Sequence, residues 1–128
     1  WKSSKPKALQ IFMWKILMNG MTMEFNEYQK LARSTAVYPE ESKVIYPALG
    51  LCGEAGEVAD KIKKTIRGDS SLDEVSGNIA GELGDVLWYL AILAEDIGFD
   101  LEKIAEWNVD KLNRRWRKNQ IKGDGDNR

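Results

Sequence analysis

The sequence predicts an all-α fold built from four helices. Apolar residues recur at helical spacing along four segments, and no segment alternates apolar and polar residues as a half-buried strand does. Gly68 and Gly98 follow two of these segments, at positions where glycine commonly ends a helix. The chain has 128 residues, of which 43% are apolar, so it is long enough to bury a real core within one domain.

Local signals predict where each helix begins and ends. Asn26 followed by Gln29 resembles a capping box, which places the start of the first helix there. Pro47 suits the first turn of the second helix, and Asp100 is placed to cap the fourth. The predicted helices cover about residues 26–36, 47–67 and 73–97, with the fourth from residue 101 onward.

Both ends of the chain are expected to lie outside the helical domain. Residues 1–22 are interpreted as an N-terminal extension, with an amphipathic helix from Leu9 to Met18 packing on the domain. No signal-peptide cleavage site follows it, and no stretch approaches the roughly 18 apolar residues that span a bilayer, so no membrane partner is expected. The domain is predicted over residues 23–119 and a disordered tail over residues 120–128.

The overall charge and the rare residue types exclude several classes of function. With 19 Lys and Arg against 20 Asp and Glu, the net charge of −1 argues against a nucleic-acid partner, which requires a basic excess. The lone Cys52 excludes an intramolecular disulfide and suits a reducing compartment, so a cytoplasmic location is expected. The chain has no histidine, which excludes a Ser-His-Asp triad and a histidine-ligated zinc site.

Two pairs of acids stand in the least charged parts of the sequence. Glu54 and Glu57 are the charged residues of segment 44–59, and Glu82 and Asp85 are those of segment 75–94. Each pair is spaced i, i+3, so both side chains project from one face of a helix. A solvated acidic stripe is the ordinary alternative, but such a stripe carries basic partners. Because burying lone carboxylates is costly, the stronger interpretation is convergence of the four acids on a hard cation, Mg²⁺ or Mn²⁺.

Glycines accompany both acidic pairs, at positions 50, 53 and 56 and at positions 77, 81 and 84. Each glycine inside a helix costs about 1 kcal/mol relative to alanine, so this enrichment needs a reason. Two reasons stay open from the sequence. The glycines let backbone, metal or ligand come close beside the acids, or they allow the two helices to cross tightly.

The acidic pairs and a basic ending together resemble a known family. Residues 49–60 read LGLCGEAGEVAD, residues 81–90 read GELGDVLWYL, and residues 108–116 read NVDKLNRRW. The Glu-x-x-Glu and Glu-x-x-Asp halves, here 24 residues apart, and the Asn-x-x-Lys-Leu-x-x-Arg ending are similar to those of the MazG-like nucleoside triphosphate pyrophosphohydrolases. The resemblance covers about residues 25–116 and implies a four-helix bundle completed by oligomerisation, as a homodimer or homotetramer.

The resemblance also implies an activity and a cofactor. The expected reaction is Mg²⁺-dependent cleavage of an NTP or dNTP between its α and β phosphates, with Mn²⁺ as a substitute ion. Glu54, Glu57, Glu82 and Asp85 would bind the metal, and one of the first two, preferably Glu54, would orient the attacking water. The chemistry agrees with this expectation, because an all-acid site needs a metal ion before it can hold a triphosphate.

The basic residues of the pattern have two interpretations each. Lys111 and Arg115 share a face of the fourth helix and would contact phosphates, as the resemblance implies. Basic residues in a last turn also complement the helix dipole without any ligand. Lys61 would reach the phosphates, or it would pair with Glu57 one turn before it.

Three further residues are candidates for contacts near the base and sugar. Tyr89 lies four residues after Asp85 and would stack on the nucleobase, the alternative being core packing. For Trp88, core packing is the preferred interpretation. Asn108 lies one turn before Lys111 and would hydrogen-bond the sugar or the base.

Two other functions stay open from the sequence. A phosphoribosyl-ATP pyrophosphohydrolase would apply the same metal chemistry to a histidine-pathway substrate. A non-catalytic helical module for nucleotide binding or protein interaction would keep the acids without turnover. The presence of all four acids together with Lys111 and Arg115 favours the nucleoside triphosphate hydrolase.

Overall fold

The structure, a computed structural model, describes residues 10–11, 14–15, 18, 20 and 22–125. Within residues 22–125 it contains four α-helices, one short 3₁₀ turn at Glu40–Ser42 and no strand. The helices are α1 (Phe25–Thr35), α2 (Ile45–Arg67), α3 (Leu72–Asp96) and α4 (Leu101–Arg117). The predicted all-α fold is confirmed. Across the described residues, no helix has both the length and the apolar character that a bilayer crossing requires.

An antiparallel hairpin of α2 and α3 is the centre of the fold. These two helices share the most extensive packing, and the loop between them is only four residues long, from 68 to 71. The helix α1 packs along α3, and α4 packs against both α1 and α3. The hairpin brings Gly50 opposite Tyr89 and Lys61 opposite Glu82, so residues distant in sequence meet along one seam.

The ends of the hairpin helices follow standard capping chemistry. Gly68 and Gly98 have positive φ values of 89° and 85°, as the sequence predicts for residues that end a helix. At the start of α3, the Ser71 hydroxyl accepts from the Glu74 backbone N–H, and the Glu74 carboxylate accepts from the Ser71 N–H at 2.7 Å. This capping box fixes the point at which the chain re-enters the hairpin.

The predicted capping box at Asn26 and Gln29 is wrong. The helix α1 begins at Phe25, and both side chains instead cap α4. Asn26 Oδ1 accepts from the Glu102 backbone N–H at 3.2 Å, and Gln29 Oε1 accepts from the Leu101 N–H at 3.0 Å. Asp100 occupies the N-cap position as predicted but makes no capping hydrogen bond with its side chain. Two of the free N–H groups at the start of α4 are therefore satisfied from a neighbouring helix.

The buried Gln29 also ties α4 to the end of α3. Its amide nitrogen donates to the backbone carbonyls of Ala91 and Phe99, both at 3.1 Å.

The second helix begins at Ile45, two residues before the predicted Pro47. These differences move helix boundaries by a turn or less and leave the order of the elements as predicted.

The N-terminal extension is described at a few positions only. Within the predicted helix from Leu9 to Met18, the described residues are helical, and three apolar side chains among them are more than half exposed: Ile11, Trp14 and Met18. The packing of this helix on the domain stays a prediction. The remaining positions of that predicted helix lie outside the described residues.

The hydrophobic core of the single chain is small. Among the described residues, its fully buried apolar members are Ala32, Ala91, Ile92, Ala94 and Leu101. Large apolar side chains elsewhere face solvent, with Leu49 70%, Ile66 83% and Trp116 72% exposed. Burying apolar side chains of this size ordinarily lowers the free energy. A chain with so small a core therefore has apolar surface left for other contacts.

A buried carboxylate, Asp96, joins α1, α2 and the end of α3. Its side chain is 0% exposed and accepts hydrogen bonds from Arg33 Nη2 at 2.5 Å, the Tyr38 hydroxyl at 2.7 Å and the Val44 backbone N–H at 3.0 Å. Burial by itself would raise the pKa of Asp96, but the three donors outweigh it and lower the pKa below its ordinary value.

The Val44 backbone that Asp96 holds is strained. Val44 has a φ of 67°, a region that β-branched residues avoid, and the Ile45 N–H bonds back to the Lys43 carbonyl at 2.7 Å. The hydrogen bond from Val44 to Asp96 compensates for part of this strain. It therefore fixes the point at which α2 begins.

Replacing Asp96 with alanine should strongly destabilise the protein. The change leaves a partly buried guanidinium, a hydroxyl and a strained backbone N–H without their acceptor, and removing one partner of a buried pair costs about 3 kcal/mol. Urea unfolding followed by circular dichroism measures this loss. Asp60→Ala is the control, because Asp60 pairs with two lysines on its own exposed helix face. An equal loss in the two variants would contradict the assigned role of Asp96.

Candidate metal centre

Three of the four predicted acids converge across the hairpin. Glu54 on α2 and the pair Glu82 and Asp85 on α3 each offer a carboxylate oxygen, and these oxygens all lie within 4.8 Å of one another. The i, i+3 spacing directs Glu82 and Asp85 toward one side of α3. The antiparallel register then brings Glu54 opposite them. These three residues are called the acidic cluster below.

Glu57 lies beside the acidic cluster rather than within it. Its side chain is 61% exposed, and its Oε2 is 4.0 Å from Lys61 Nζ. Glu57 is one turn from Glu54 on the same helix, so its part as a fourth ligand stays a prediction.

Like charges set the electrostatics of the acidic cluster. Partial desolvation, together with the nearby carboxylates of Asp85 and Glu82, raises the pKa of Glu54 above its ordinary value. The hydrogen bond from Lys61 has the opposite effect and lowers the pKa of Glu82. Lys61 Nζ lies 2.7 Å from Glu82 Oε1, closer than it lies to Glu57. The predicted pairing of Lys61 with Glu57 is therefore secondary to a bond between the helices.

The donor set of the acidic cluster fits a hard divalent cation. Its ligand atoms are carboxylate oxygens, which Mg²⁺ and Mn²⁺ prefer over softer ligands. Together with partial desolvation, the neighbouring carboxylates raise the pKa of Glu54, and a divalent cation would offset their repulsion. Exposed acids without an ion are common in proteins, so the convergence of the oxygens, and not the acidity alone, is what supports a site.

The acidic cluster opens into a cleft with an aromatic side. This cleft, called the acidic cleft below, has a volume of about 360 Å³, and its lining residues are Thr35, Glu54, Asp85, Trp88 and Tyr89. A larger cavity of about 520 Å³ lies along α1 and the end of α3. Arg33, the guanidinium in that cavity, is already bonded to Glu95 and Asp96, so the acidic cleft is the better candidate for chemistry.

Tyr89 lines the acidic cleft because Gly50 leaves room for its ring. A Cβ added at Gly50 would lie 2.2 Å from Tyr89 Cε1, well inside van der Waals contact. The ring of Tyr46 lies 6.3 Å from that of Tyr89, centroid to centroid, and stacks at 4.9 Å on Tyr38. The aromatic side of the cleft is thus continuous with the hydrogen-bond network around Asp96.

Gly50 is the glycine of the hairpin that needs to lack a side chain in the single chain. At positions 53, 56, 77, 81 and 84, an added Cβ would meet nothing within 4 Å. Close approach within one chain therefore explains why position 50 is glycine. It does not explain the glycines at the other five positions. Tight crossing of α2 and α3 does not require those five glycines.

The predicted contacts on α4 do not line the acidic cleft. Asn108 is exposed on α4, and Lys111 is half-buried there. Arg115 is buried, and its Nη2 donates to the Gly125 carbonyl at 3.1 Å. Of the predicted phosphate, base and sugar contacts, the structure brings Tyr89 and Lys61 to the acids.

Two residues that the sequence analysis did not assign to the site also line the acidic cleft. Trp88 is half-buried and packs against the core as predicted, but it also lines the acidic cleft. Its position three residues after Asp85 was a usable signal. Thr35 accepts a hydrogen bond from Trp88 Nε1 at 2.8 Å. Nothing in the sequence indicates Thr35, because its place depends on how α1 packs on α3.

These features define an all-α protein with a carboxylate cluster at the mouth of an aromatic cleft. Comparison with known proteins gives the family. Residues 47–119 match the model of the MazG nucleotide pyrophosphohydrolase domain. The "Gene 37 protein" of Mycobacterium phage L5 is 38% identical over 114 residues, covering 83% of this chain and all of that protein. No solved structure is significantly similar to the chain. The chain belongs to the MazG nucleotide pyrophosphohydrolase family, and membership suggests nucleotide pyrophosphohydrolase activity.

A double-mutant cycle should reveal the contact between Gly50 and Tyr89. Gly50→Ala forces the Tyr89 ring to move and should cost roughly 1–3 kcal/mol of unfolding free energy, as overpacking does. In a Tyr89→Ala background the same change meets no ring, and it should be neutral or stabilising by up to about 1 kcal/mol. Urea unfolding of the four proteins measures the coupling. Additive effects would show that the contact is not made.

Proposed function

We propose that the protein is a Mg²⁺-dependent nucleoside triphosphate pyrophosphohydrolase. It cleaves an NTP or dNTP between the α and β phosphates and releases a nucleoside monophosphate and pyrophosphate. The observation that carries the proposal is the convergence of three carboxylates from two helices, of which Glu54 and Asp85 line the acidic cleft. Family membership supports the same reaction class. A reducing, cytoplasmic setting agrees with the lone cysteine.

The acids supply the ligands and the base that this reaction needs. Glu54, Glu82 and Asp85 would hold Mg²⁺ (or Mn²⁺), and Glu57 would complete the set from the next turn of α2. The bound ion supplies positive charge that offsets the phosphates and polarises the bond to be broken. In a chain without histidine, a carboxylate orients the attacking water. Glu54 is the preferred base, since its carboxylate lies within the acidic cluster, whereas Glu57 lies beside it.

The nucleoside end of the substrate would lie against the aromatic side of the cleft. Tyr89 stands in the same cleft as Glu54 and Asp85, which places a stacking surface beside the acids. Asn108 on α4 would hydrogen-bond the sugar or the base. Lys111 and Arg115 would contact the phosphates, and Lys61 would join them from the side of α2.

A second copy of the chain would bring the α4 residues to the acidic cleft. Asn108, Lys111 and Arg115 do not line the cleft of their own chain, although the family pattern assigns them to it. The small core, the exposed apolar side chains and the five open glycines indicate surfaces fitted to further helices. We therefore propose a homodimer or homotetramer in which α4 of one copy completes the site of another.

Pyrophosphate release from a panel of nucleotides tests the proposed reaction. The panel contains the common NTPs and dNTPs and phosphoribosyl-ATP, each with Mg²⁺. We expect at least one NTP or dNTP to give its monophosphate, identified by ion-exchange chromatography. Glu82→Gln should lower kcat/KM at least 100-fold by removing a metal ligand, whereas Glu106→Gln on the exposed face of α4 should not change it.

Specific outcomes of this assay would reject the proposed reaction. Release of phosphate with a nucleoside diphosphate would show cleavage at the wrong bond. Full activity of Glu82→Gln would remove the acidic cluster from the chemistry. Turnover of phosphoribosyl-ATP alone would reassign the substrate within the same reaction class.

Sedimentation velocity tests the proposed oligomer. We expect a species of at least twice the 14.5 kDa chain mass at micromolar concentration, because the small core leaves much apolar surface to be covered. Trp116→Glu replaces a 72% exposed indole of α4 with a charged side chain and should shift the distribution toward the monomer. A monomeric wild-type protein would contradict the oligomer.

A further inference from the structure

The lysine that bonds to the acidic cluster comes from the same hairpin. Lys61 Nζ lies 2.7 Å from Glu82 Oε1 and 4.0 Å from Glu57 Oε2. The Lys61 and Glu82 side chains are each only 22% exposed. This ammonium therefore occupies a partly enclosed position beside one carboxylate of the acidic cluster, Glu82.

The register of the hairpin explains why Lys61 reaches Glu82. Lys61 lies seven residues after Glu54, two turns along the same face of α2. Side chains on a helix tilt toward its N-terminus, so the lysine stem extends back in the direction of Glu54. In an antiparallel pair this direction leads to Glu82 on α3. The contact follows from the backbone arrangement and needs no unusual side-chain conformation.

The bond from Lys61 differs from the other lysine pairs of α2. Lys64 pairs with Asp60 at 2.6 Å within one helix and on an exposed face. Lys61 instead crosses between helices and bonds a carboxylate of the acidic cluster. A divalent cation would need that same carboxylate as a ligand. The ammonium of Lys61 and the cation therefore compete for the negative charge of one group, Glu82.

We propose that Lys61 is an internal counter-cation of the acidic cluster and competes with the divalent metal for Glu82. The proposal rests on the proposed function, since it takes the cluster to be the metal site. In the metal-free protein, the ammonium offsets part of the repulsion among the carboxylates. Metal binding releases Lys61 from Glu82 and leaves its charge at the edge of the cleft, where an anionic substrate arrives. The metal affinity of the free protein is set partly by this exchange.

Calorimetric titration of the whole chain with Mn²⁺, without nucleotide, tests the competition. Lys61→Met keeps most of the stem and removes the charge, so it should bind Mn²⁺ about three- to tenfold more tightly than the wild type. Lys64→Met removes a lysine charge at a pair outside the cluster and should leave the affinity unchanged.

Thermal unfolding gives a second readout that does not depend on turnover. In excess chelator, Lys61→Met should unfold at a lower temperature than the wild type, because the carboxylates lose their counter-cation. Mn²⁺ at one concentration in large excess should then raise the Tm of Lys61→Met by more than it raises that of the wild type, since stabilisation by a ligand grows with the logarithm of its affinity. Lys64→Met again serves as the reference for the loss of one charge.

The outcomes separate this proposal from the proposed function. Equal or weaker Mn²⁺ affinity in Lys61→Met overturns the competition alone, because the metal site itself is then present in both proteins. Absence of Mn²⁺ binding in the wild type and in Lys61→Met overturns the metal site, and with it the proposed function. Tighter binding in Lys61→Met but not in Lys64→Met supports the exchange.

Discussion

Repulsion among Glu54, Glu82 and Asp85 is the constraint that the rest of the structure must satisfy. Their oxygens lie within 4.8 Å of one another on two different helices, and the raised pKa of Glu54, partly desolvated beside these like charges, records the cost. The α2–α3 hairpin is the element that holds them, through its extensive packing and the capping of α3 by Ser71. The bond from Lys61 to Glu82 offsets part of the charge. The arrangement is held together by the fold, and its unbalanced charge makes it ready for a cation.

The aromatic side of the cleft is connected to a buried carboxylate, Asp96. Asp96 holds the strained backbone of Val44, where α2 begins, and bonds the hydroxyl of Tyr38. Tyr38 stacks on Tyr46, which stands beside Tyr89 in the cleft. The orientation of Tyr89 is thus linked to a network at the far end of α3. The carboxylate of Asp96 is buried and accepts three hydrogen bonds, which stabilise the fold. The carboxylates of the acidic cluster are only partly neutralised by Lys61, which favours binding of a cation.

Sequence spacing could predict what lies within one helix and could not predict what crosses between helices. The i, i+3 pair of Glu82 and Asp85 and the glycine caps at Gly68 and Gly98 are local, and their positions in the structure agree with the pattern. The role of Asn26 was mistaken because its side chain bonds to Glu102, 76 residues away. Thr35 entered the cleft for a similar reason, through packing of α1 on α3. The family pattern supplied the activity class, which helical periodicity alone does not contain.

If the proposed function holds, the distribution of charge makes the site of one chain incomplete. A triphosphate carries about four negative charges, and the acidic cluster adds three carboxylates at the same place. Lys61 contributes one positive charge, and a divalent cation would contribute two. The remaining cations of the family pattern, Lys111 and Arg115, lie on α4 and do not line the cleft. Moving α4 within its own chain would break the caps that Asn26 and Gln29 provide. Supplying α4 from a second copy keeps those caps and covers exposed apolar surface, so charge balance and burial favour the same assembly.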